Sequence, residues 1–306
     1  MPRHCDDHAI VLAGYGFDEK GPYLSLNEVE DDEQRRYHVQ GKLFSLRCHP
    51  QRLCVGRFDL ETGAKTPCPL RVELLSDAKD DLCPACQEAT GFNPSFYYAD
   101  FVSPQQRAYN LTPHVVYLAY FAPGYVKAGI TSAARGVRRL LEQGARAGRI
   151  VGHFDDAYQA RELEAALCAQ EGIAETMRAS KKLDLLANVR YDAKEAVAAL
   201  DDEAVRLARV EVVGAAGFDG RDLPQDLSRF YFGGPSPACA DLQIPDGPAD
   251  VCAGRCVGMV GGVLVLEQQG TNYLVSLKGW ESHRIDLLED ELACTYDFAP
   301  QQMSLL

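Results

Sequence analysis

Cys83-Pro-Ala-Cys86 is the tightest pair of metal-binding side chains in the chain. Zinc takes thiolates tetrahedrally at about 2.3 Å, and two sulfurs from one tight knuckle meet that geometry at little conformational cost. Cys54, in Cys-Val-Gly, and Cys68, in Pro-Cys-Pro, each adjoin a turn residue. Cys54, Cys68, Cys83 and Cys86 are therefore expected to hold one structural zinc, with Cys48 and His49 as reserve ligands. A redox pair is one alternative, but that use of C-x-x-C belongs to a strand–helix context; unliganded thiols are the other. Cys239, Cys252 and Cys256 lack a tight knuckle and make a weaker second set. Zinc would also explain how residues 47–92 fold, because binding energy becomes folding energy where long apolar runs are few.

A second set of chemistry-bearing residues lies between 114 and 170. Phosphoryl transfer needs an oriented nucleophile, a cation against the developing charge and usually a divalent metal. Tyr117 or Lys127 would orient or deprotonate water. Arg139 would hold a phosphate oxygen through two N–H groups. Glu164 would ligate magnesium or manganese, which need only one or two protein carboxylates. Thr131 and Gln143 would position groups by hydrogen bonding, and His114 is a titratable group at the head of the same strand. Each also has an ordinary reading: Tyr117 and His114 as core, the arginines as a solvated helix face, Glu164 as one surface acid among several.

Charge supports an anionic ligand at this stretch. Between 125 and 150 there are six basic residues and one acid, inside a chain of net charge −13. Screening over roughly 8–10 Å confines that field to its own face. The acidic remainder repels phosphate backbones, so the whole molecule is not expected to bind duplexes non-specifically.

The order of these residues carries a resemblance. Tyr117, then Lys127-Ala-Gly129-Ile-Thr131, then Arg139, then Glu164 resembles the GIY-YIG nuclease fold, a three-stranded antiparallel sheet flanked by helices. The resemblance implies phosphodiester cleavage, with Tyr117, Lys127, Arg139 and Glu164 at the catalytic positions. Lys127 stands where that fold carries its second tyrosine, and Gln143 where many members carry histidine. A wider pattern covers most of the chain: a cysteine cluster, His114-Val-Val-Tyr-Leu-Ala, Glu142-Gln-Gly-Ala and a terminal G-x-x-G-x-L-x-L hairpin. It is similar to a bacterial family of unknown function with such a core, and implies no substrate.

The elements that must position these groups follow from periodicity. Residues 8–46 read as strands, with a turn at Asp18-Glu19-Lys20-Gly21 and a charged turn at 30–34. Residues 93–113 read as an aromatic connector. HVVYLAYF, YVKAGIT and GRIVGHF read as three strands, with a helix after Thr131 and long helices at AYQARELEAALCAQEG and DAKEAVAALDDEAVRLARV. Residues 214–254 are rich in Gly, Pro and Asp and read as a linker or docked loop. A hairpin over QQGTN follows.

The expected fold is α+β in three parts: a β-rich zinc-knuckle module at 1–112, a GIY-YIG-like core with helices at 113–213, and a linker with a small C-terminal β-module at 214–306. Eleven cysteines, an odd number, argue against a disulfide framework. With no apolar run of membrane length, a cytoplasmic protein is expected, with an anionic partner, nucleic acid or a phosphorylated or carboxylated small molecule, and no membrane. Three functions compete: a metal-dependent phosphodiesterase, the same fold redeployed on a small anionic metabolite, and a non-catalytic zinc-stabilised interaction module.

Overall fold

The computed structural model describes residues 9–29, 33–93, 96–234, 236–247, 249–290 and 294–296. The chain opens with β1 (Ile10–Asp18), β2 (Gly21–Glu28), β3 (Glu33–His38) and β4 (Leu43–Leu53). The turn read at 18–21 joins β1 to β2; of the charged turn at 30–34, residues 30–32 fall outside the described residues. Short strands β5 (Arg57–Phe58), β6 (Lys65–Thr66) and β7 (Glu73–Leu74) lead to helices α1 (Pro84–Thr90) and α2 (Pro104–Asn110). The aromatic connector therefore contains a helix, capped where Gln106 N–H donates to Ser103 Oγ at 3.0 Å.

The central module runs β8 (His114–Ala122), β9 (Tyr125–Ser132), α3 (Val137–Gln143), β10 (Ala147–Phe154), α4 (Ala157–Cys168), β11 (Ile173–Ala174), α5 (Ala179–Asn188), α6 (Ala193–Leu207) and α7 (Glu211–Ala215). The remainder is β12 (Gln225–Asp226), α8 (Ser228–Phe232), β13 (Leu242–Gln243), β14 (Val251–Val260), β15 (Val263–Gln268), β16 (Thr271–Ser276) and β17 (His283–Leu288). The hairpin at QQGTN joins β15 to β16. The 214–254 stretch is docked: Tyr231 on α8 is fully buried and its hydroxyl donates to Ala145 O at 2.6 Å.

Ten strands form one mixed sheet, in the order β13-β16-β15-β14-β4-β17-β1-β2-β3, with β7 on β4. β4 pairs with both β14 and β17. The C-terminal strands are thus part of a sheet built with the N-terminal ones, where a small module of their own was expected. The second sheet is β11-β9-β8-β10-β12. Its three long strands are antiparallel, and two-residue strands extend both edges.

All nine residues of β8 are buried, which explains the unbroken apolar run, since both faces are covered. Val116, Leu118 and Tyr120 pack with Leu163 and Leu167 of α4 and Leu200 of α6. Tyr117, Ala119 and Phe121 point the other way, into a core with Leu140 of α3, Leu185 of α5 and Val260 of β14. That second face is the one between the two sheets.

Candidate functional site

The four expected cysteines converge. The sulfurs of Cys54, Cys68, Cys83 and Cys86 lie within 4.8 Å of one another, and Cys68 Sγ is 3.9 Å from Cys83 Sγ. Four sulfurs at about 2.3 Å from one zinc stand about 3.8 Å apart, so the donor set fits that ion. Cys54 enters from the end of β4, Cys83 is the N-cap residue of α1 and Cys86 lies in that helix's first turn. Backbone N–H groups of Cys83 and Gly56 donate to Cys54 Sγ at 3.1 and 3.4 Å, which favours the thiolate. Gly56 has φ 92°, and a Cβ there would stand 2.0 Å from Thr66 O. The knuckle requires glycine at that point.

Neither reserve ligand joins the cluster. His49 lies 2.9 Å from the Asp286 carboxylate, and Cys48 packs against the main core. Nor do Cys239, Cys252 and Cys256 form a second set: among the described residues the four sulfurs are the only group of three or more donors within reach of one ion.

The phosphoryl-transfer set is drawn from four elements. Tyr117 pairs with Gly129 across β8 and β9, and the absent Cβ lets its ring lie over β9, where a Cβ would be 2.5 Å from the phenol oxygen. That oxygen is 2.7 Å from the Gln143 amide. With its oxygen turned inward, the amide accepts from Tyr117 and from Arg139 Nε and Nη2 at 3.0 and 3.3 Å. Burial raises the Tyr117 pKa, with Arg139 opposing. The phenol therefore stays protonated at neutral pH and donates, which removes it as a base in this state.

Lys127 is half-buried on the same face and donates to Ala128 O at 3.0 Å. Burial lowers its pKa; Glu164 opposes that shift and Arg139 adds to it. Glu164 is buried on α4 and accepts from Arg161 at 2.5 Å. Arg161 in turn reaches Glu175 at 3.3 Å and stacks over Tyr97. Tyr117, Gln143 and Arg139 are thus joined by hydrogen bonds; Lys127 feels the charge of both Arg139 and Glu164, and Tyr117 that of Glu164. Thr131 lies on the Tyr117 face, opposite Val115, its hydroxyl buried without a hydrogen-bond partner among the described residues.

Two expectations differ from the structure. His114 is buried and donates from Nδ1 to Thr112 O at 2.7 Å. By strand alternation it faces away from Tyr117, and burial lowers its pKa, so it is a neutral core residue. Glu164 is committed to Arg161 and belongs to no group of three donors among the described residues. Its pairing with Arg161 gives no support for a resident magnesium or manganese ion.

Sequence reasoning missed Lys182, on the unexpected helix α5. It donates to Gln143 O at 2.8 Å and lies 5.0 Å from the Phe121 ring centre. Burial, with Lys127 and Arg139 adding, lowers its pKa to about 8. The unfolded state binds this proton more tightly, so the contribution of Lys182 to stability rises with pH between about 8 and 10.5. At pH 8 Lys182 is expected to be acetylated by a water-soluble active ester at least ~10-fold faster than an ordinary exposed lysine, having far more free base. Peptide mass spectrometry after graded labelling checks this; equal rates would refute it.

No helix of the described residues is long and apolar enough to cross a membrane. No curated protein matches the chain, and no solved structure does. A family match runs from the cap of α2 into β17, taking in the whole central module and stopping short of the cysteine cluster: over residues 103–284 the chain belongs to the family described as protein of unknown function, DUF2797.

Proposed function

We propose that this chain is a zinc-stapled protein whose central, GIY-YIG-like module holds a small phosphorylated or carboxylated anion and does not cut nucleic acid. The observation that carries this reading is a charge imbalance. Lys127 has no carboxylate at ion-pair distance among the described residues, and Arg139 reaches only Glu142, at 3.9 Å. The one nearby buried carboxylate, Glu164, is already neutralised by Arg161. Arg139 keeps 38% of its side chain exposed, so an anion can reach it from solvent. The sheet face behind it is packed against α3, α5 and the large sheet, which leaves less room for a duplex than for a small molecule. Tyr117 and Gln143 fix the guanidinium; Lys127 adds the second positive charge.

Calorimetry with pyrophosphate, beside a cleavage assay on single-stranded and duplex DNA and on RNA with magnesium, tests the proposal. Pyrophosphate is expected to bind, Arg139→Ala and Lys127→Met each to weaken it about tenfold or more, the loss of a charge-assisted contact, and no nucleic acid to be cut. Magnesium-dependent cleavage abolished by Glu164→Gln would overturn this in favour of a phosphodiesterase. Absence of both binding and cleavage would leave the zinc-stabilised interaction module.

A further inference from the structure

A cavity of about 190 Å³ lies where the two sheets meet; Gln143 lines it, and neither Lys127, Arg139 nor Glu164 does. Its apolar lining comes from Phe121, Leu185 and Leu186 of the central module and Val260 and Val263 of the large sheet. The charged lining is Arg146, Lys182, Glu142, Glu281 and the exposed Lys278. An apolar cavity of roughly 150 Å³ admits one benzene ring, so this space suits a ligand of that order.

The two cations make the cavity unusual. Arg146 is 5% exposed. It stacks over Tyr191 at 4.2 Å and donates from Nη2 to Ser236 Oγ at 3.2 Å. Its Nε is buried without an acceptor, and no carboxylate lies at ion-pair distance among the described residues. Lys182 likewise has, among the described residues, only a backbone carbonyl and an aromatic ring. Buried charge is costly unless paired, and here two unpaired positive charges line one space. The carboxylates of the lining do not cancel them. Glu142 is bound by Arg135, and burial pushes Glu281 up to about 7, so much of it is protonated at neutral pH.

We propose that this cavity binds a small organic acid, with its carboxylate or phosphate on Arg146 and Lys182 and its apolar body against Phe121, Leu185 and Val263. The site shares Gln143 with the Arg139 cluster but neither of that cluster's cations, and it stands whether or not that cluster binds pyrophosphate. An anion supplies the missing counter-charge, and the apolar wall selects acids with a hydrocarbon body over bare inorganic anions.

Binding to the purified full-length chain is measured by calorimetry with four probes: benzoate, phenyl phosphate, benzyl alcohol and inorganic phosphate. Benzoate or phenyl phosphate is expected to bind at least tenfold tighter than benzyl alcohol or inorganic phosphate; which of the two wins identifies the head group. Lys182→Met, at a half-buried position, is expected to abolish the preference for the acid over the alcohol. Leu185→Trp or the milder Val263→Phe, whichever melts cooperatively, is expected to fill the space and remove binding of all four. Equal binding of acid and alcohol, binding of neither acid, or unchanged acid binding in Lys182→Met would overturn the proposal.

Discussion

Replacing Cys83 by serine is expected to cost this protein its zinc and much of its stability. Elemental analysis of the wild-type chain should return one zinc per molecule, and Cys83→Ser well under half of that. The metal contributes on the order of 10–16 kcal/mol to small zinc domains, so losing one ligand of four should remove about 4 kcal/mol or more. At roughly 2–4 °C per kcal/mol, the melting temperature should fall by at least ~8 °C. The loss should be concentrated in the knuckle, where the apolar residues packed against the sulfurs, among the described residues, are Val72, Leu74 and Leu82. Burial pushes the metal-free Cys54 thiol up to about 11, so zinc uptake by the stripped protein at pH 8 should release protons and tighten as pH rises. Cys256→Ser supplies the contrast, because Cys256 is a buried thiol on β14 with Gly258 O as its partner. Equal zinc content in Cys83→Ser and wild type would refute the four-sulfur site.

That cluster was legible from the sequence because its determinants are local: two cysteines three apart and two more beside turn residues. The strands of the central module were legible for the same reason. What each strand faces was not. With every residue of β8 buried, no polar alternation marks which side Tyr117 takes, and His114 looks as available as Tyr117 until packing separates them. The cap of α2 was readable, since Ser103-Pro104-Gln105-Gln106 carries a cap residue, a proline at the first helical position and a glutamine in the first turn. Helix α5 has no side-chain cap, and its buried residues, Leu185 to Ala187, are confined to its last turn. It is held by tertiary contact, and Lys182 was hidden with it. The pairing of β4 with β14 and β17 spans about two hundred residues of chain. Loop closure grows costly only slowly with length, and no residue near β4 announces so distant a partner.

Gly129→Ala should be the most damaging single-methyl change in the central module. Local preference favours alanine, since glycine weakens a strand interior and no left-handed backbone demands it here. Packing decides against it. The added Cβ would stand 2.5, 2.7 and 3.1 Å from the Oη, Cζ and Cε2 atoms of Tyr117. That ring is 1% exposed and cannot swing into solvent. Overpacking costs about 1–3 kcal/mol and loss of the phenol–Gln143 hydrogen bond about 1 more, so a drop of roughly 2–4 kcal/mol is expected in chemical denaturation. Arg139 would lose the same anchor, so pyrophosphate binding should weaken alongside. Tyr117→Phe should give no relief, because Cζ remains in the way. Tyr117→Leu should: the double variant is expected to be more stable than the summed single losses by about 1–3 kcal/mol, the coupling of residues in contact. Additive losses would mean that the ring does not lie over Gly129. The same arrangement recurs between Gly16 and Tyr23 of β1 and β2, where a Cβ would also meet the phenol oxygen at 2.5 Å. Tyr23 is only half-buried, beneath the Arg36 guanidinium, and can shift outward. Gly16→Ala should therefore cost less than Gly129→Ala, since two equal contacts differ only in how far the neighbour can yield.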